Sequence, residues 1–456
     1  MTTKRKRKRK TSGPKREAAG RAPATPAEPE PAEGTTLSVP VSGKALAWLG
    51  ARLREVGRGR TSSGALTLLA RREGVRGILW DRRADLGVLA AIEAAGLVDA
   101  VDDLPAAGLR VEVSLDSFAK LARAFASEPT VSFDVAGGAL TLRGAGGSYR
   151  VVPATDDEPT TPPLGASGPT AVLDGRDLGR ALGLAARFAD DEQHGERVLV
   201  EVADGGLSIL AGGAHRFVRA TATADGEPIE TAISSHSARV AERVLKRSTG
   251  TATVQVTGRL VILTGDGGLG SLGVICRRDD VASDPADTDG AEQRAAEVAG
   301  MRARVRGLFD NVSARPGRFV AQIETKDLRA ALDRGRALRH LATPASPLTT
   351  VLTSDARGLL VGHVLATPYD EPAADAHHLE SVEGWTTGAG AAVAINPKLL
   401  GGLLPKSGPV LLDCGEPADP IRVRVVDGGV SLDTIVMPYG PDLCAGWAQR
   451  LREVAA

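Results

Sequence analysis

Leu37-Ser-Val-Pro-Val-Ser42 is a short alternating run that stops on a helix-capping residue, and the stretch behind it, Gly43 to Glu55, puts Leu46, Leu49 and Leu53 on one helical face. The same device returns as Leu109-Arg-Val-Glu-Val-Ser114, Thr170-Ala-Val-Leu-Asp174 and Glu230-Thr-Ala-Ile-Ser234. It returns again as Phe319-Val-Ala-Gln-Ile-Glu324 and Ala391-Ala-Val-Ala-Ile-Asn396. A period of two gives way each time to a period near 3.6, and the switch falls on a residue type that caps helices. The six runs form pairs whose members stand roughly 60–70 residues apart, and internal repetition of this kind sets the fold. The reading is an α+β chain of three repeated domains, each with two helices packed on antiparallel sheets.

A chain of 456 residues has room for about three domains. With 42% hydrophobic but only 3% aromatic residues, its cores must be built from Leu, Val, Ala and Ile. The net charge of zero hides an asymmetry. Residues 1–36 hold ten Lys or Arg and four Asp or Glu, which leaves 46 basic against 52 acidic residues for the rest. An acidic body binds nucleic acid only where its basic residues gather on one surface. Cys276, Cys414 and Cys444 lie far apart with no metal-ligand spacing, a count that fits a reducing cytoplasm. No apolar run approaches the roughly 20 residues of a membrane span, and the basic start lacks the apolar segment of a signal peptide.

The Lys/Arg run Lys4 to Lys10 and the Pro/Ala/Glu stretch behind it make residues 1–36 a low-complexity tail. It reads as a solvated tail or as an arm touching DNA phosphates; a nuclear-import tag has nothing else in its favour. The first domain spans 37–155, the second 170–280 and the third 318–440, with a linker at 153–169. A longer connection, 281–317, starts acidic and carries a helix around Ala291–Phe309. Residues 441–456 form a C-terminal extension. Hairpins are expected at Gly137-Gly138, Asp204-Gly205-Gly206, Asp266-Gly267 and Asp427-Gly428-Gly429.

Motifs for chemistry are scarce. Gly265-Asp-Gly267-Gly-Leu-Gly270 matches a dinucleotide fingerprint, yet the residues after it read as a strand where a pyrophosphate-binding helix is required. His377-His378 reads as a surface loop rather than a metal site, and no metal or cofactor is expected. No Walker A, G-x-S-x-G or H-E-x-x-H sequence occurs. An enzyme with an unrecognised site remains an alternative from another class.

The basic residues are better placed. Arg52, Arg54, Arg58 and Arg60 belong to or follow the first helix; Lys120 and Arg123 lie on the second. Arg176, Arg180 and Arg187 lie on the third, and Arg239, Arg243, Lys246 and Arg247 on the fourth. Lys326, Arg329, Arg334, Arg336 and Arg339 lie on the fifth, Lys398 and Lys406 on the sixth. Any amphipathic helix has a charged outer face. Six equivalent helices with mainly basic polar faces, in an acidic protein, point to one shared electropositive surface.

At this point the chain resembles the bacterial β sliding clamps, the processivity subunits of replicative DNA polymerase. The likeness covers about 37–440. It rests on Val111-Glu-Val-Ser-Leu-Asp-Ser-Phe through Gly147-Ser-Tyr-Arg-Val-Val-Pro153, on Leu210-Ala-Gly-Gly-Ala-His-Arg-Phe217, and on Val393-Ala-Ile-Asn-Pro-Lys-Leu-Leu400 with Ile435-Val-Met-Pro438. The resemblance implies a ring-shaped head-to-tail homodimer around double-stranded DNA, held by the DNA backbone. It implies no catalysis, a DNA polymerase and a clamp loader as partners, and a cytoplasmic location. The DNA-facing residues would be Arg52, Arg54, Arg60, Lys120, Arg123, Arg180, Arg187, Arg239, Arg243, Lys246, Arg247, Arg329, Arg336 and Lys398.

The resemblance also implies a partner-peptide pocket between the second and third domains. Its walls would be Gly212, Ala214, His215, Arg216 and Phe217 with Ile435, Val436, Met437 and Pro438. The chain departs from the family there. Gly212-Gly213-Ala214 stands where the family has Thr-Asp-Gly, and the family's Phe-Pro-Asp-Tyr after domain two has no counterpart in Val274–Asp280. The C-terminal extension, with Trp447 and Leu451, is expected to be able to fold over this pocket. A divergent clamp paralogue acting as an accessory is the alternative within the same fold.

Overall fold

Each of the six cap-led runs opens a β-α-β-β-β unit in the computed structural model. It describes residues 36–57, 65–81, 86–96, 108–151, 168–189, 197–213, 215–281, 288–315, 317–343, 347–354, 358–365, 377–388, 392–405 and 407–439. The first unit is β1 (Thr36–Val41), α1 (Gly43–Gly57), β2 (Ala65–Arg71), β3 (Gly74–Asp81) and β4 (Leu86–Glu93). The second is β5 (Leu109–Ser114), α2 (Leu115–Ala124), β6 (Val131–Ala136), β7 (Ala139–Gly144) and β8 (Gly147–Val151). The third is β9 (Thr170–Asp174), α3 (Gly175–Ala186), β10 (Arg197–Ala203), β11 (Gly206–Gly212) and β12 (Arg216–Gly226). The fourth is β13 (Ile229–Ser234), α4 (Ser235–Leu245), β14 (Thr251–Thr257), β15 (Leu260–Asp266) and β16 (Ser271–Arg277).

A long helix, α5 (Thr288–Ala314), stands outside the repeat. The fifth unit is β17 (Phe319–Glu324), α6 (Thr325–Gly335) with a 3-10 turn at Arg336–Leu341, β18 (Leu348–Ser354), β19 (Gly358–Leu365) and β20 (His377–Thr387). The sixth is β21 (Ala392–Ile395), α7 (Pro397–Leu403), β22 (Pro409–Cys414), β23 (Ile421–Asp427) and β24 (Val430–Val436).

The units interlock in pairs. Each lead strand leaves its own unit and pairs antiparallel in the sister unit: β1 with β6, β5 with β2, β9 with β14, β13 with β10, β17 with β22 and β21 with β18. Every four-stranded sheet is thus made from two units, and neither unit can bury its apolar face alone. The cores between sheet and helices are aliphatic: Leu46, Leu49 and Leu53 from α1, and Leu178 and Leu182 from α3, have no exposed surface.

Sheets continue from one domain into the next through the last strands of the units. β16 pairs with β4 from Ser271↔Ala91 to Cys276↔Leu86, and β12 pairs with β24 from Arg216↔Val436 to Thr221↔Ser431. Two last strands keep a free side among the described residues: β8, paired only with β7, and the His377–Glu383 part of β20, paired there only with β19.

The expected hairpins form. Gly137 and Gly138 hold φ of 53° and 72°, and Asp204 and Gly205 hold 51° and 76°, the left-handed pairs that a two-residue hairpin demands. The fingerprint-like Gly265–Gly270 segment is also a hairpin, closed by the Gly267 N–H on the Gly270 carbonyl at 2.7 Å. Its glycines serve close packing: a Cβ on Gly267 would lie 2.4 Å from the Trp48 ring of α1.

His377 and His378 depart from the expected loop; both lie in β20. The His378 ring stacks on His363 of β19, with centroids 6.1 Å apart. His363 is fully buried. Its Nε2–H donates to the Ala331 carbonyl of α6 at 3.1 Å, and the Thr350 hydroxyl, 3.0 Å from Nδ1, can donate to that nitrogen when the ring is neutral. Burial pushes its pKa down to about 4, against the opposing pull of the Ala331 bond. Below the ordinary value of 6.5 the unfolded histidine takes a proton that the native ring refuses until about 4. Stability contributed by the neutral ring is therefore complete above that ordinary value and lost as pH falls toward 4, by about 3 kcal/mol in all. Denaturant unfolding at pH 7.5 and 4.5 is expected to register this loss, and His363→Gln to remove most of it. An equal pH dependence in the two proteins contradicts the assignment.

Candidate functional site

Where each helix starts decides which residues it exposes. The Asp174 carboxylate accepts from the N–H groups of Arg176 and Asp177 at 2.8 and 3.0 Å, Ser234 from Ser237 at 3.0 Å, and Asn396 from Lys398 at 3.0 Å. Each side chain satisfies orphan donors of the first turn and fixes the helical phase. Ser114 holds the same position before α2, while Glu324 makes no such bond before α6.

The cations expected to face DNA divide into two groups. Lys120, Arg123, Arg243, Lys246 and Lys398 are exposed and have no carboxylate partner among the described residues. Arg239 is also exposed and donates to the Ala186 carbonyl at 3.1 Å, tying α4 to the end of α3.

The second group is engaged with carboxylates or with the backbone. Arg52 pairs with Glu55 at 2.9 Å and Arg54 with Asp116 at 2.9 Å. Glu55 also holds Arg247, a link from α1 to the end of α4, and Arg247 is the main cause of its lowered pKa. Arg187 lies 3.8 Å from Glu242, and Arg336 pairs with Asp333 at 2.8 Å. Arg329 donates to the Pro405 carbonyl at 3.0 Å and to that of Leu404.

Arg180 ties the second domain to the third. It donates to the Asp427 carbonyl at 2.8 Å and lies 3.4 Å from that residue's carboxylate. Exposed pairs such as Arg336 with Asp333 add little stability, but each cancels a positive charge locally. Arg60 lies outside the described residues.

Three of the residues expected in the partner pocket, Phe217, Ile435 and Met437, come together in one apolar cluster, and a helix covers it. β10, β11, β12 and β13 present Leu199, Leu210, Phe217 and Ala232, and β24 adds Ile435 from the third domain. Across all five lies α5, with Val298, Val305 and Phe309 buried against them and Met301, Leu308 and Val312 partly buried. Phe217 retains 8% of its surface and Ile435 none. Met437 packs at the margin.

Charge pins the helix in place. Glu201, 5% exposed, accepts from Arg302 Nε and Arg306 Nη2, both at 2.7 Å. Glu230 lies 3.4 Å from Arg302, and Arg197 pairs with Glu297 at 3.1 Å, which lowers the pKa of that carboxyl. The Arg219 guanidinium stands 4.6 Å over the Phe309 ring. Beside Arg197, burial raises the Asp279 carboxyl to about 6 against the pull of Arg197 and Arg277.

The remaining pocket residues separate in the same way. Val436 belongs to the main core, because successive strand residues point to opposite faces and Ile435 and Met437 take the outer one. Gly212 lies under the Phe217 ring, where a Cβ would stand 2.3 Å from Cδ1. The Arg216 guanidinium stands over the Phe188 ring, 5.2 Å from its centroid. His215 is exposed and its carbonyl accepts the Met437 N–H at 2.9 Å; Pro438 is half-buried. Ala214 and the C-terminal extension lie outside the described residues. The helix around Ala291–Phe309 is legible in the sequence, but its seat on the pocket is not. The i, i+3, i+7 recurrence of Val298, Met301 and Val305 signals a buried face without saying what it is buried against.

No helix among the described residues is long and apolar enough to cross a membrane, and no cluster of metal-ligating side chains occurs among them. No protein-family model matches the chain, and no curated protein matches it. Solved structures do. A DNA polymerase III beta subunit from Thermotoga maritima matches with a TM-score of 0.59 at 16% identity, over 89% of this chain and 99% of its own. A DNA polymerase sliding clamp from Pseudomonas aeruginosa matches at 0.60 and 13%, over 89% and 99%. The sliding clamp from Bacillus subtilis matches at 0.59 and 12%, over 89% and 100%. The chain therefore has the sliding-clamp fold.

Proposed function

We propose that this chain, built on the fold of the bacterial β sliding clamps, forms a ring of two copies joined head to tail and encircles double-stranded DNA without reading its sequence. The observation that carries the reading is the pair of free edges. Inside the chain, domains join through the last strands of units, β4 to β16 and β12 to β24. Among the described residues β8, in the first domain, and β20, in the third, are the last strands left over. Pairing β8 of one copy with β20 of another repeats the internal joint and closes a ring in which neither of these two edges is left open.

The exposed Lys120, Arg123, Arg243, Lys246 and Lys398 supply phosphate contacts. The engaged arginines shape the helices that carry them. In this reading the protein has no chemistry of its own. A DNA polymerase is the tethered partner and a clamp loader opens the ring. The buried free thiols of Cys276 and Cys414 accord with the cytoplasm as its location.

The covered groove favours a second reading of the same fold, an accessory clamp that does not serve as a standing platform for polymerase peptides. The first reading is tested by topology. The dimer is dissociated by dilution and reconcentrated over circular plasmid. Retention through a high-salt wash is expected on circles, with release once the plasmid is cut. Equal retention on circular and linear DNA excludes an encircling ring.

A further inference from the structure

Every described helix and strand belongs to one of six repeated units except α5, the 27-residue helix between the second and third domains. Its attachment is one-sided. Val298, Met301, Val305, Leu308, Phe309 and Val312 make a continuous stripe at helical spacing, and all six enter the same cluster. The opposite face, with Gln293, Ala296, Ala299, Ala303 and Asp310, is exposed and has no large apolar side chain. The surface beneath is assembled without it. Leu199, Leu210, Phe217, Ala232 and Ile435 sit on five strands whose hydrogen-bonded registers run between the strands themselves.

Lifted off, α5 would leave a single apolar groove across the junction of two domains, with Glu201 and Glu230 at one border. An apolar groove flanked by carboxylates is a receptor for a helix bearing an apolar stripe and a basic pair one turn apart. Arg302 and Arg306 of α5 are such a pair.

We propose that α5 is the resident occupant of this groove, a ligand in cis that must leave before an amphipathic helical segment binds there in trans. The inference rests on the groove and helix alone and does not require that the protein encircle DNA. The linkage makes the resident hard to displace. A tethered ligand competes at high effective concentration, so a free peptide of equal intrinsic affinity is largely excluded. Opening removes the groove's apolar cover, while Glu201, Glu230 and the α5 arginines each regain water.

The probe is a fluorescein-labelled synthetic peptide of residues 292–315 of this chain, titrated into the full chain. The wild type is expected to bind it at least about 100-fold more weakly than a Val298→Ser, Val305→Ser, Phe309→Ser variant, whose own α5 no longer fills the groove. Adding Phe217→Asp to that variant is expected to abolish binding again. A second variant, Arg302→Glu with Arg306→Glu, keeps the apolar stripe and sets like charges against Glu201 and Glu230. It is expected to bind the unmodified probe more tightly than the wild type does.

Hydrogen exchange of the unaltered chain gives a measurement without substitutions. The α5 amides are expected to exchange well ahead of those of α3. Equal probe affinity in wild type and both variants overturns the proposal. So does α5 exchange that occurs only with global unfolding, since the helix is then a fixed wall of the fold. Failure of the circular-plasmid test alone leaves these readouts unaffected and counts only against the ring.

Discussion

Ser148→Pro with Arg150→Pro is expected to leave the chain folded and to turn the proposed dimer, of about twice 47.1 kDa, into a monomer. β8 is the second strand of a hairpin whose closing pair is Gly144↔Gly147. Hydrogen-bonded and non-bonded positions alternate in an antiparallel pair. Counting from the closing pair, Gly147, Tyr149 and Val151 bond to β7, and Ser148 and Arg150 direct their N–H groups to the free edge. Proline removes those two donors and obstructs a neighbouring strand while sparing the hairpin, since an edge strand tolerates it on its outer side. Val151 stays buried and its packing in the core is untouched. Sedimentation at micromolar concentration measures the outcome, with circular dichroism to verify folding. A folded variant that remains dimeric places the joint elsewhere than β8.

Reversing charge at Lys120, Arg123, Arg243, Lys246 and Lys398 together, each to Glu, is expected to lower affinity for duplex DNA at low salt by about two orders of magnitude or more, with the dimer intact. Each DNA phosphate that is no longer neutralised takes roughly 0.9 from the slope of log affinity against log salt. These five are exposed without a carboxylate beside them among the described residues, so their charge is available to DNA. Arg180→Ala serves as the contrast. Arg180 directs its hydrogen bonds to Asp177 and Asp427, so its loss should lower the melting temperature and barely change the salt slope. A fivefold-reversed variant that keeps the parent slope shows that DNA meets another surface.

Much of this molecule follows from short-range sequence. The six cap-led runs start six units because capping and periodicity act among residues a few places apart, and Ser234, Asp174 and Asn396 do cap as their chemistry requires. Gly137-Gly138 and Asp204-Gly205 form hairpins because positive φ is a property of the residue itself. Alternation along β24 already separates Ile435 from Val436, a distinction lost only when the whole segment is treated as one wall.

What tertiary structure alone decided involves partners far apart in the chain. Arg180 meets Asp427 across 247 positions, and Arg247 meets Glu55 across 192. A basic residue on a helix looks the same in sequence whether it awaits a phosphate or is already paired. The stack of the buried His363 on His378 follows from the pairing of β19 with β20. The deciding case is α5. Its apolar spacing announces a buried face, but a helical stripe is non-specific and fits any apolar groove of suitable width. Only the folding of two domains into one continuous sheet creates the groove of Leu199, Phe217 and Ile435, and only then does this helix have a place to dock.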